Sequence, residues 1–195
     1  MGKIYYMMGK SSSGKDTLLK AVRETLPDIQ SVTLYTTRPI RDGERDGEEY
    51  FFISEEILDT YEKQGKVIEQ RAYDTVHGIW RYATLDDGQI DLACADYLVI
   101  GTLESYRKMR AYYGKDHVTP LYIEVEDGER LKRALKREMS QEVPRYAELC
   151  RRFLADTVDY SEENLAEVGI TRRYLNHDGI QCLEEIIGEI QHGKL

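Results

Sequence analysis

The feature that most constrains this chain is a glycine loop at residues 9–15, which reads Gly-Lys-Ser-Ser-Ser-Gly-Lys. A short apolar run precedes the loop at residues 3–8, and an amphipathic pattern follows it at residues 15–26. This order predicts a buried strand, a tight turn and a helix. Glycines let the backbone curl so that its N–H groups point at one centre, and the start of the helix adds partial positive charge. The loop is therefore predicted to hold the phosphates of ATP, with Lys15 as a mobile positive charge.

The position after Lys15 departs from the usual form of this loop, in which Ser or Thr offers a hydroxyl to Mg²⁺. Asp16 stands there, and Thr17 follows it. Carboxylate and hydroxyl oxygens are ligands of the kind that Mg²⁺ prefers. We therefore expect Mg²⁺ to enter with ATP and to be held by Asp16 and Thr17, although the carboxylate also adds negative charge near the phosphates.

Strand and helix patterns alternate along most of the chain, which predicts a parallel α/β sheet flanked by helices. Strands are predicted at residues 3–8, 31–34, 96–100, 118–125 and 171–175. Helices are predicted at residues 15–26 and 180–190 and between the strand at 96–100 and residue 112, and residues 127–160 are predicted to form a helical region whose basic residues lie on two successive helices. Residues 35–92 interrupt the alternation. Their patterns predict a polar loop at residues 35–49, short strands at 50–53, 66–71 and 79–84, and helices at 54–63 and 85–93. This stretch is interpreted as an inserted lobe.

Composition narrows the class of function. The net charge is −9 and the sequence pI is about 5.1, which argues against nucleic acid as a partner. The three cysteines (Cys94, Cys150 and Cys182) lack metal-binding spacing and are interpreted as reduced thiols. The residues before the glycine loop do not resemble a signal peptide, and no run approaches the roughly 20 apolar residues of a membrane span. A cytoplasmic protein without a membrane partner is expected, and its oligomeric state is left open.

A second anion site is predicted in the polar loop. Arg38 and Arg41 lie three residues apart, with Pro39 to stiffen the loop and Gly43 to turn it. Arginine binds phosphate through two parallel hydrogen bonds, so two arginines on one rigid loop can clamp a phosphorylated substrate. Tyr50 could donate its hydroxyl to the same phosphate. The alternative interpretation is a solvated loop with surface ion pairs.

These two motifs together resemble the guanylate kinase family, and the resemblance extends along nearly the whole chain. The family pattern T-T-R-x-P-R-x-G-E, followed by D-G-x-x-Y-x-F, is matched by residues 36–44 and 46–52, with Pro39 displaced by one position. The resemblance implies a P-loop NTPase-like core at residues 1–34, 93–126 and 168–195. It also implies a small lobe for the nucleoside monophosphate at residues 35–92 and a helical lid at residues 127–160.

The resemblance also implies roles for individual residues. ATP is expected to contact Gly9, Ser11, Ser12, Ser13, Gly14, Lys15, Asp16, Thr17, Arg133 and Asn176. GMP is expected to contact Arg38, Arg41 and Tyr50 through its phosphate, and Glu69, His77 and Thr102 near its base. Catalysis is expected to depend on Lys15, Arg38, Arg41, Arg137 and Arg152. No residue stands out as a required general base, because positioning and charge neutralisation are sufficient for phosphoryl transfer.

Four departures from the family pattern bear on the base that is recognised. Leu34 replaces a serine near the phosphate site, and His77 stands one position early for a tyrosine. Val99 and Gly101 occupy positions where the family has carboxylates, with Thr102 or Glu104 as substitutes. Two alternatives therefore stay open beside GMP kinase activity: a kinase of this fold with another base preference, and a catalytically silent protein-binding module.

The lid region carries a local concentration of basic residues in an otherwise acidic chain. The resemblance pairs Arg133 with Arg137 and makes Arg152 or Arg151 the later lid arginine. The alternative is an ion-paired, solvated helix. That alternative fits Arg133 better than Arg137, because Glu129 lies four residues before Arg133 whereas no carboxylate lies four residues from Arg137.

Overall fold

The computed structural model describes residues 2–41, 43–75 and 78–192 of the chain. Its strands are β1 (Ile4–Met8), β2 (Gln30–Ser31), β3 (Tyr35–Thr36), β4 (Phe51–Phe52), β5 (Val67–Thr75), β6 (Gly78–Leu85), β7 (Tyr97–Ile100), β8 (Val118–Glu124) and β9 (Tyr174–Leu175). Its helices are α1 (Lys15–Thr25), α2 (Glu55–Lys63), α3 (Leu103–Tyr113), α4 (Asp127–Met139), α5 (Tyr146–Asp159), α6 (Glu162–Glu167) and α7 (Ile180–His192).

A parallel sheet with the strand order β2-β7-β1-β8-β9 forms the centre of the molecule. Every residue of β1 is buried, which explains why this strand reads as a continuous apolar run and not as an alternating one. Tyr5 and Met7 face the side of the sheet covered by α1 and α7, whereas Tyr6 and Met8 face α3 and α6. The predicted parallel α/β architecture is confirmed.

A second, four-stranded sheet with the order β4-β3-β6-β5 is built from the inserted stretch. Its own small core places Leu58 of α2 against Ala83 and Leu85 of β6. The Ser54 hydroxyl accepts a hydrogen bond from the backbone N–H of Ile57, as expected for the residue that caps α2. Arg81 of β6 then pairs with three acidic side chains of α2, Glu55, Asp59 and Glu62. The helix is thereby fixed to the sheet on both its apolar and its polar side.

The predicted helix at residues 85–93 is wrong. Residues 86–96 form turns and irregular backbone between β6 and β7. Gly88 has a φ of 86°, in the left-handed region that interrupts a helix. Gln89 donates to the carbonyl of Thr33, and Asp91 accepts from the backbone N–H of Ala93. Such local side-chain hydrogen bonds compete with helix formation.

The helical region predicted at residues 127–160 consists of two helices, α4 and α5, which are separated by residues 140–145. Pro144 lies in the break, and proline cannot donate the hydrogen bond that a continuous helix needs there. The short helix α6 was not predicted. Within the described ranges, no helix combines the length and the apolar character that crossing a bilayer requires.

Replacing Ile186 by alanine tests the core between α7 and the main sheet. Ile186 is 0% exposed and belongs to the cluster that includes Tyr5, Val22 and Ile123. The cavity left by Ile186→Ala should lower the free energy of unfolding by about 2–5 kcal/mol, measured by urea denaturation with circular dichroism. Ile180, on the same helix, is 70% exposed, and Ile180→Ala should change the free energy of unfolding by less than about 0.5 kcal/mol. Equal effects of the two substitutions would contradict this packing.

Candidate active site

The glycine loop runs from the end of β1 to the start of α1 and passes very close to its neighbours. A Cβ atom on Gly9 would lie 2.3 Å from the carbonyl oxygen of Ile123 in β8. A Cβ atom on Gly14 would lie 2.5 Å from Nδ2 of Asn176, and Gly14 also has a φ of 87°. Both positions therefore require glycine, because a side chain would push the loop away from the sheet.

Lys15 folds back over this loop. Its Nζ donates to the carbonyl oxygens of Gly9 at 2.7 Å and Lys10 at 2.9 Å, and it lies 3.4 Å from Oγ of Ser13. Burial is the main cause that lowers the pKa of the Lys15 amine, and the nearby carboxylate of Asp16 opposes the shift. The ammonium is thus held inside the curve of the loop, where an entering anion would meet it.

Asn176, at the end of β9, supports the loop from below. Its Nδ2 donates to the carbonyl oxygen of Ser13 at 2.7 Å, and the residue is buried. Ser11 donates its backbone N–H to Oδ2 of Asp156 in α5 at 2.7 Å. Ser12 has a φ of 63°, and its buried hydroxyl lacks a hydrogen-bond partner among the residues that the structure describes. Unpaired buried hydroxyls are rare, so Ser12 is a natural contact for a bound ligand.

Asp16 and Thr17 lie exposed in the first turn of α1. The pKa of Tyr50 is raised, chiefly by burial, and Asp16 is close enough to contribute to that shift. Across residues 2–41, 43–75 and 78–192, no cluster of three or more acidic, histidine or cysteine side chains forms a cage for a metal. Mg²⁺ commonly binds through one or two protein ligands together with substrate phosphates, so an exposed carboxylate and hydroxyl suit a metal that arrives with a nucleotide.

Arginines of α4 and α5 line a cleft beside the glycine loop. The cleft is lined by Ser11, Ser12, Arg130, Ala134, Arg137, Glu138, Arg145, Glu148, Leu149, Arg152 and Phe153. Arg130 is only 1% exposed, and it donates to the carbonyl of Ser11 and to Asp156. The guanidinium of Arg137 has no ion pair with any described residue. Arg137 is thus available to an anion in the cleft.

The other two predicted lid arginines already have partners. Arg133 pairs with Glu129 at 3.1 Å, as the alternative interpretation of its spacing indicates, and it donates to the carbonyls of Asn176 and His177. Arg152 pairs with Glu148 at 2.8 Å. Both ion pairs are partly exposed, so the free energy needed to exchange the carboxylate for a phosphate is small.

The two arginines of the lobe have very different surroundings. Arg38 is buried and donates to both oxygens of Glu44, at 2.7 and 2.6 Å, and its guanidinium lies over the rings of Tyr50 and Phe52. Arg41 is exposed, and its guanidinium contacts no carboxylate within the described ranges. Its backbone N–H donates to Glu44 at 2.9 Å. Arg38 therefore organises the loop, whereas Arg41 carries a positive charge that no described carboxylate neutralises through an ion pair.

Glu69 of β5 is buried at the boundary between the lobe and the main sheet. Its Oε1 accepts from the hydroxyl of Thr84 at 2.8 Å, and its Oε2 lies 3.2 Å from Nε of Arg71. Arg71 in turn reaches Oγ1 of Thr102, the residue that caps α3, at 3.4 Å. Arg71 was not among the predicted site residues. Its position two residues after Glu69 on a strand, which places both side chains on one face, was the available signal.

The structure explains why no carboxylate stands at the end of β7. A Cβ atom on Gly101 would lie 2.0 Å from the hydroxyl of Tyr6, which donates to Oγ of Ser105 at 2.6 Å. A side chain at position 101 is excluded by this buried hydrogen bond. Leu34 is buried, and the predicted contact at His77 lies outside the described residues.

Comparison with known proteins agrees with this architecture. The family model described as guanylate kinase matches residues 1–82. A guanylate kinase from Nitrosococcus oceani is 26% identical and is matched over 97% of this chain and 98% of its own length. One from Tropheryma whipplei is 36% identical over 39% of this chain and 38% of its own length. The crystal structure of guanylate kinase from Anaplasma phagocytophilum superimposes with a TM-score of 0.71 at 18% identity, covering 100% of this chain and 87% of that one.

The chain is thus similar to guanylate kinases in two ways. Residues 1–82 match the sequence model of that family, and the whole chain has the fold of a guanylate kinase, with the glycine loop at the end of the central strand of the parallel sheet.

The Arg38–Glu44 pair generates a prediction about pH. The two hydrogen bonds from Arg38 lower the pKa of Glu44 from 4.5 to about 2. A carboxyl group whose pKa is lowered by folding stabilises the protein fully above its unfolded pKa and loses that contribution as the pH falls. Glu44→Gln should lower the free energy of unfolding by about 2 kcal/mol at neutral pH. The difference from the unsubstituted protein should shrink as the pH falls from 4.5 towards 2.

Fluorescence-detected unfolding can follow this change, because the one tryptophan, Trp80, lies in β6 of the same lobe. Glu48→Gln is the matched control, since Glu48 lies in the same loop but forms only an exposed contact with Arg45. A difference for Glu44→Gln that stays constant with pH would contradict the assignment of this pair.

Proposed function

We propose that this protein is an ATP-dependent guanylate kinase, which transfers the γ-phosphoryl group of ATP to GMP and yields ADP and GDP. One observation carries the proposal: the glycine loop holds the ammonium of Lys15 inside its curve and borders a cleft lined by Arg130, Arg137, Arg145 and Arg152. Positive charge therefore converges on the predicted site of the donor phosphates. The relatives that match the chain, named guanylate kinases, support the same reaction.

The acceptor phosphate is assigned to the lobe. The guanidinium of Arg41 pairs with no described carboxylate, and the ring of Tyr50 packs against the guanidinium of Arg38 on the same loop. Both oxygens of Glu44 already bind Arg38, so the main contribution of Arg38 is to hold the loop that carries Arg41 and Tyr50. Glu69 and Thr102 are both within reach of Arg71 and are assigned to the base of the monophosphate. The predicted contact at His77 stays part of this proposal.

The donor phosphates are assigned to the glycine loop and the lid. The backbone N–H groups of residues 14–17 and the ammonium of Lys15 surround the outer phosphates, and Arg137, which pairs with no described carboxylate, approaches from the lid. Arg152 can bind the same phosphates after its ion pair with Glu148 opens. Arg133, which donates to the carbonyl of Asn176, is assigned with Asn176 to the adenosine of ATP. Mg²⁺ held by Asp16 and Thr17 would neutralise phosphate charge.

Positioning and charge neutralisation account for the catalysis proposed here. The acceptor oxygen attacks the γ-phosphorus in line while arginines and lysine balance the charge that spreads over the transferred group. Closing the lid excludes water, which would otherwise compete as acceptor. We propose that the reaction takes place in the cytoplasm, where ATP and nucleoside monophosphates are both plentiful.

Two alternatives are distinguished by specific residues. Leu34, Val99 and Gly101 depart from the family pattern near the acceptor and favour a kinase with another base preference. A silent protein-binding module would need neither Lys15 nor the two close-packed glycines of the loop. The tight fit of Gly9 and Gly14 against Ile123 and Asn176 therefore favours an enzyme.

A coupled assay with MgATP and a panel of monophosphates tests the proposed reaction. GMP should have the highest kcat/KM among GMP, dGMP, AMP, CMP, UMP and IMP. A clear preference for a different base would support the alternative kinase. Absence of turnover with every member of the panel, together with binding of a peptide, would support the silent module.

Replacing Lys15 tests the donor site. Lys15→Ala should lower kcat by about 100-fold or more, because a charge that acts on the transferred phosphoryl group is lost. The dissociation constant for GMP, measured by calorimetry, should change little. Lys20, an exposed lysine on the same helix that contacts Glu24 only at 4.0 Å, provides the control, and Lys20→Ala should retain full activity. An unchanged kcat in Lys15→Ala would refute the assignment of the donor site.

A further inference from the structure

Arg71 forms an unusual pair with Glu69 at the predicted base site. The side chain of Glu69 is 0% exposed and that of Arg71 is 9% exposed. Arg71 extends from β5 of the lobe to Thr102 at the start of α3, so it crosses the boundary between the lobe and the main sheet. The guanidinium therefore lies where the lobe meets the main sheet, in contact with both predicted base-site residues, Glu69 and Thr102.

The contacts of Arg71 are long. Its Nε lies 3.2 Å from Oε2 of Glu69, Nη2 lies 3.4 Å from Oε1 of Glu69, and Nη1 lies 3.4 Å from Oγ1 of Thr102. Oε2 of Glu69 and Nε of Arg71 are both buried without a hydrogen bond to any described residue. Buried charged groups normally satisfy their hydrogen bonds, so this pair calls for a specific explanation.

A second arginine–glutamate pair in the same lobe has much shorter contacts. Arg38 binds both oxygens of Glu44 through hydrogen bonds of 2.7 and 2.6 Å. Arg71 also faces both oxygens of Glu69, but at 3.2 and 3.4 Å, and Thr84 holds Oε1 of Glu69 at 2.8 Å. Oε2 of Glu69 and Nε of Arg71 therefore lie side by side in an ion pair in which neither atom forms a hydrogen bond with a described residue.

Such a neighbouring acceptor and donor are complementary to a base edge in which a keto oxygen adjoins a ring N–H. Guanine and hypoxanthine have this edge, whereas adenine has an amino group beside a ring nitrogen and reverses both polarities. We propose that Arg71 is a second base-reading residue: it donates to the keto oxygen of the acceptor base while Glu69 accepts from the adjoining ring N–H. This inference rests on the proposed kinase function and specifies how its substrate is chosen.

The long contacts of Arg71 allow it to serve this role. The two hydrogen bonds of Arg71 to Thr102 and to Oε1 of Glu69 are both 3.4 Å long, beyond the usual donor–acceptor distances. Little hydrogen-bond energy is therefore lost when the guanidinium shifts to admit the base. The entering edge gives both unpaired atoms a partner. A base with the opposite pattern would leave them unpaired and would place donor against donor, a mismatch that specific sites penalise heavily.

Comparison of IMP with AMP isolates this edge, because hypoxanthine and adenine differ only there. We would measure kcat and KM for GMP, IMP and AMP with the unsubstituted protein, Arg71→Ala, Arg71→Lys and Arg45→Ala. Arg71→Ala should lower the ratio of kcat/KM for IMP to that for AMP by about 10- to 100-fold, the scale of one charge-assisted hydrogen bond. The loss should appear in KM for GMP and IMP, with kcat little changed. Arg71→Lys should recover part of the ratio, and Arg45→Ala, in an exposed part of the same lobe, should leave it unchanged.

Several outcomes would overturn the inference. An unchanged or lower KM for GMP in Arg71→Ala would show that Arg71 only covers Glu69. Arg71→Ala could instead lower kcat/KM equally for GMP, IMP and AMP and also lower the unfolding temperature. If Arg71→Lys then restored the unfolding temperature, Arg71 would have a structural role alone. If the unsubstituted protein phosphorylates none of these monophosphates, the proposed function fails. Calorimetry with IMP and AMP then decides the base-reading role separately, and equal affinities would overturn it.

Discussion

The close approach of the glycine loop to the ends of β8 and β9 is the constraint on which the candidate site depends. Gly9 passes the carbonyl of Ile123 and Gly14 passes Asn176 at distances that admit no Cβ atom. Asn176 then holds the loop through the carbonyl of Ser13. This packing fixes where α1 begins, and with it the direction of Lys15 and Asp16. Helices α4 and α5 contact the same loop. Ser11 donates its backbone N–H to Asp156 of α5, and its carbonyl accepts a hydrogen bond from Arg130 of α4.

Two arginine–glutamate pairs of the lobe, Arg38–Glu44 and Arg71–Glu69, differ in their distances. The Arg38–Glu44 pair is short and has two hydrogen bonds, so it neutralises both charges and gives the loop a fixed shape. The Glu69–Arg71 pair is longer and keeps unsatisfied atoms, so it keeps the capacity to bind something else. The same residue types thus serve a structural purpose in one place and a recognition purpose in the other, and the distances distinguish the two.

Much of this arrangement could be predicted from the sequence. The strand, glycine loop and helix over residues 3–26 follow from the apolar run, the spacing of Gly9 and Gly14, and the amphipathic pattern of α1. The ion pair of Arg133 with Glu129 follows from their four-residue spacing. These are local relations, in which sequence distance fixes spatial distance.

Contacts that depend on how the chain folds back on itself could not be predicted from sequence spacing. The burial of Arg38 depends on Glu44 and on two aromatic rings that the loop brings back over it. The contact of Arg71 with Thr102 joins residues from different sheets, and the irregular stretch after β6 is held by a side chain that reaches Thr33. The break at residues 140–145 differs from these contacts because it has a local cause, Pro144, which lies within it.

The hydroxyl of Tyr6 beside Gly101 has a consequence for how this site can evolve. Any side chain introduced at position 101 would collide with a hydroxyl that is already hydrogen-bonded to Ser105. An aspartate at position 101 therefore requires a second change that moves or removes this hydroxyl. The proposed base-reading residue Arg71 lies instead on β5, in contact with Thr102 at the start of α3.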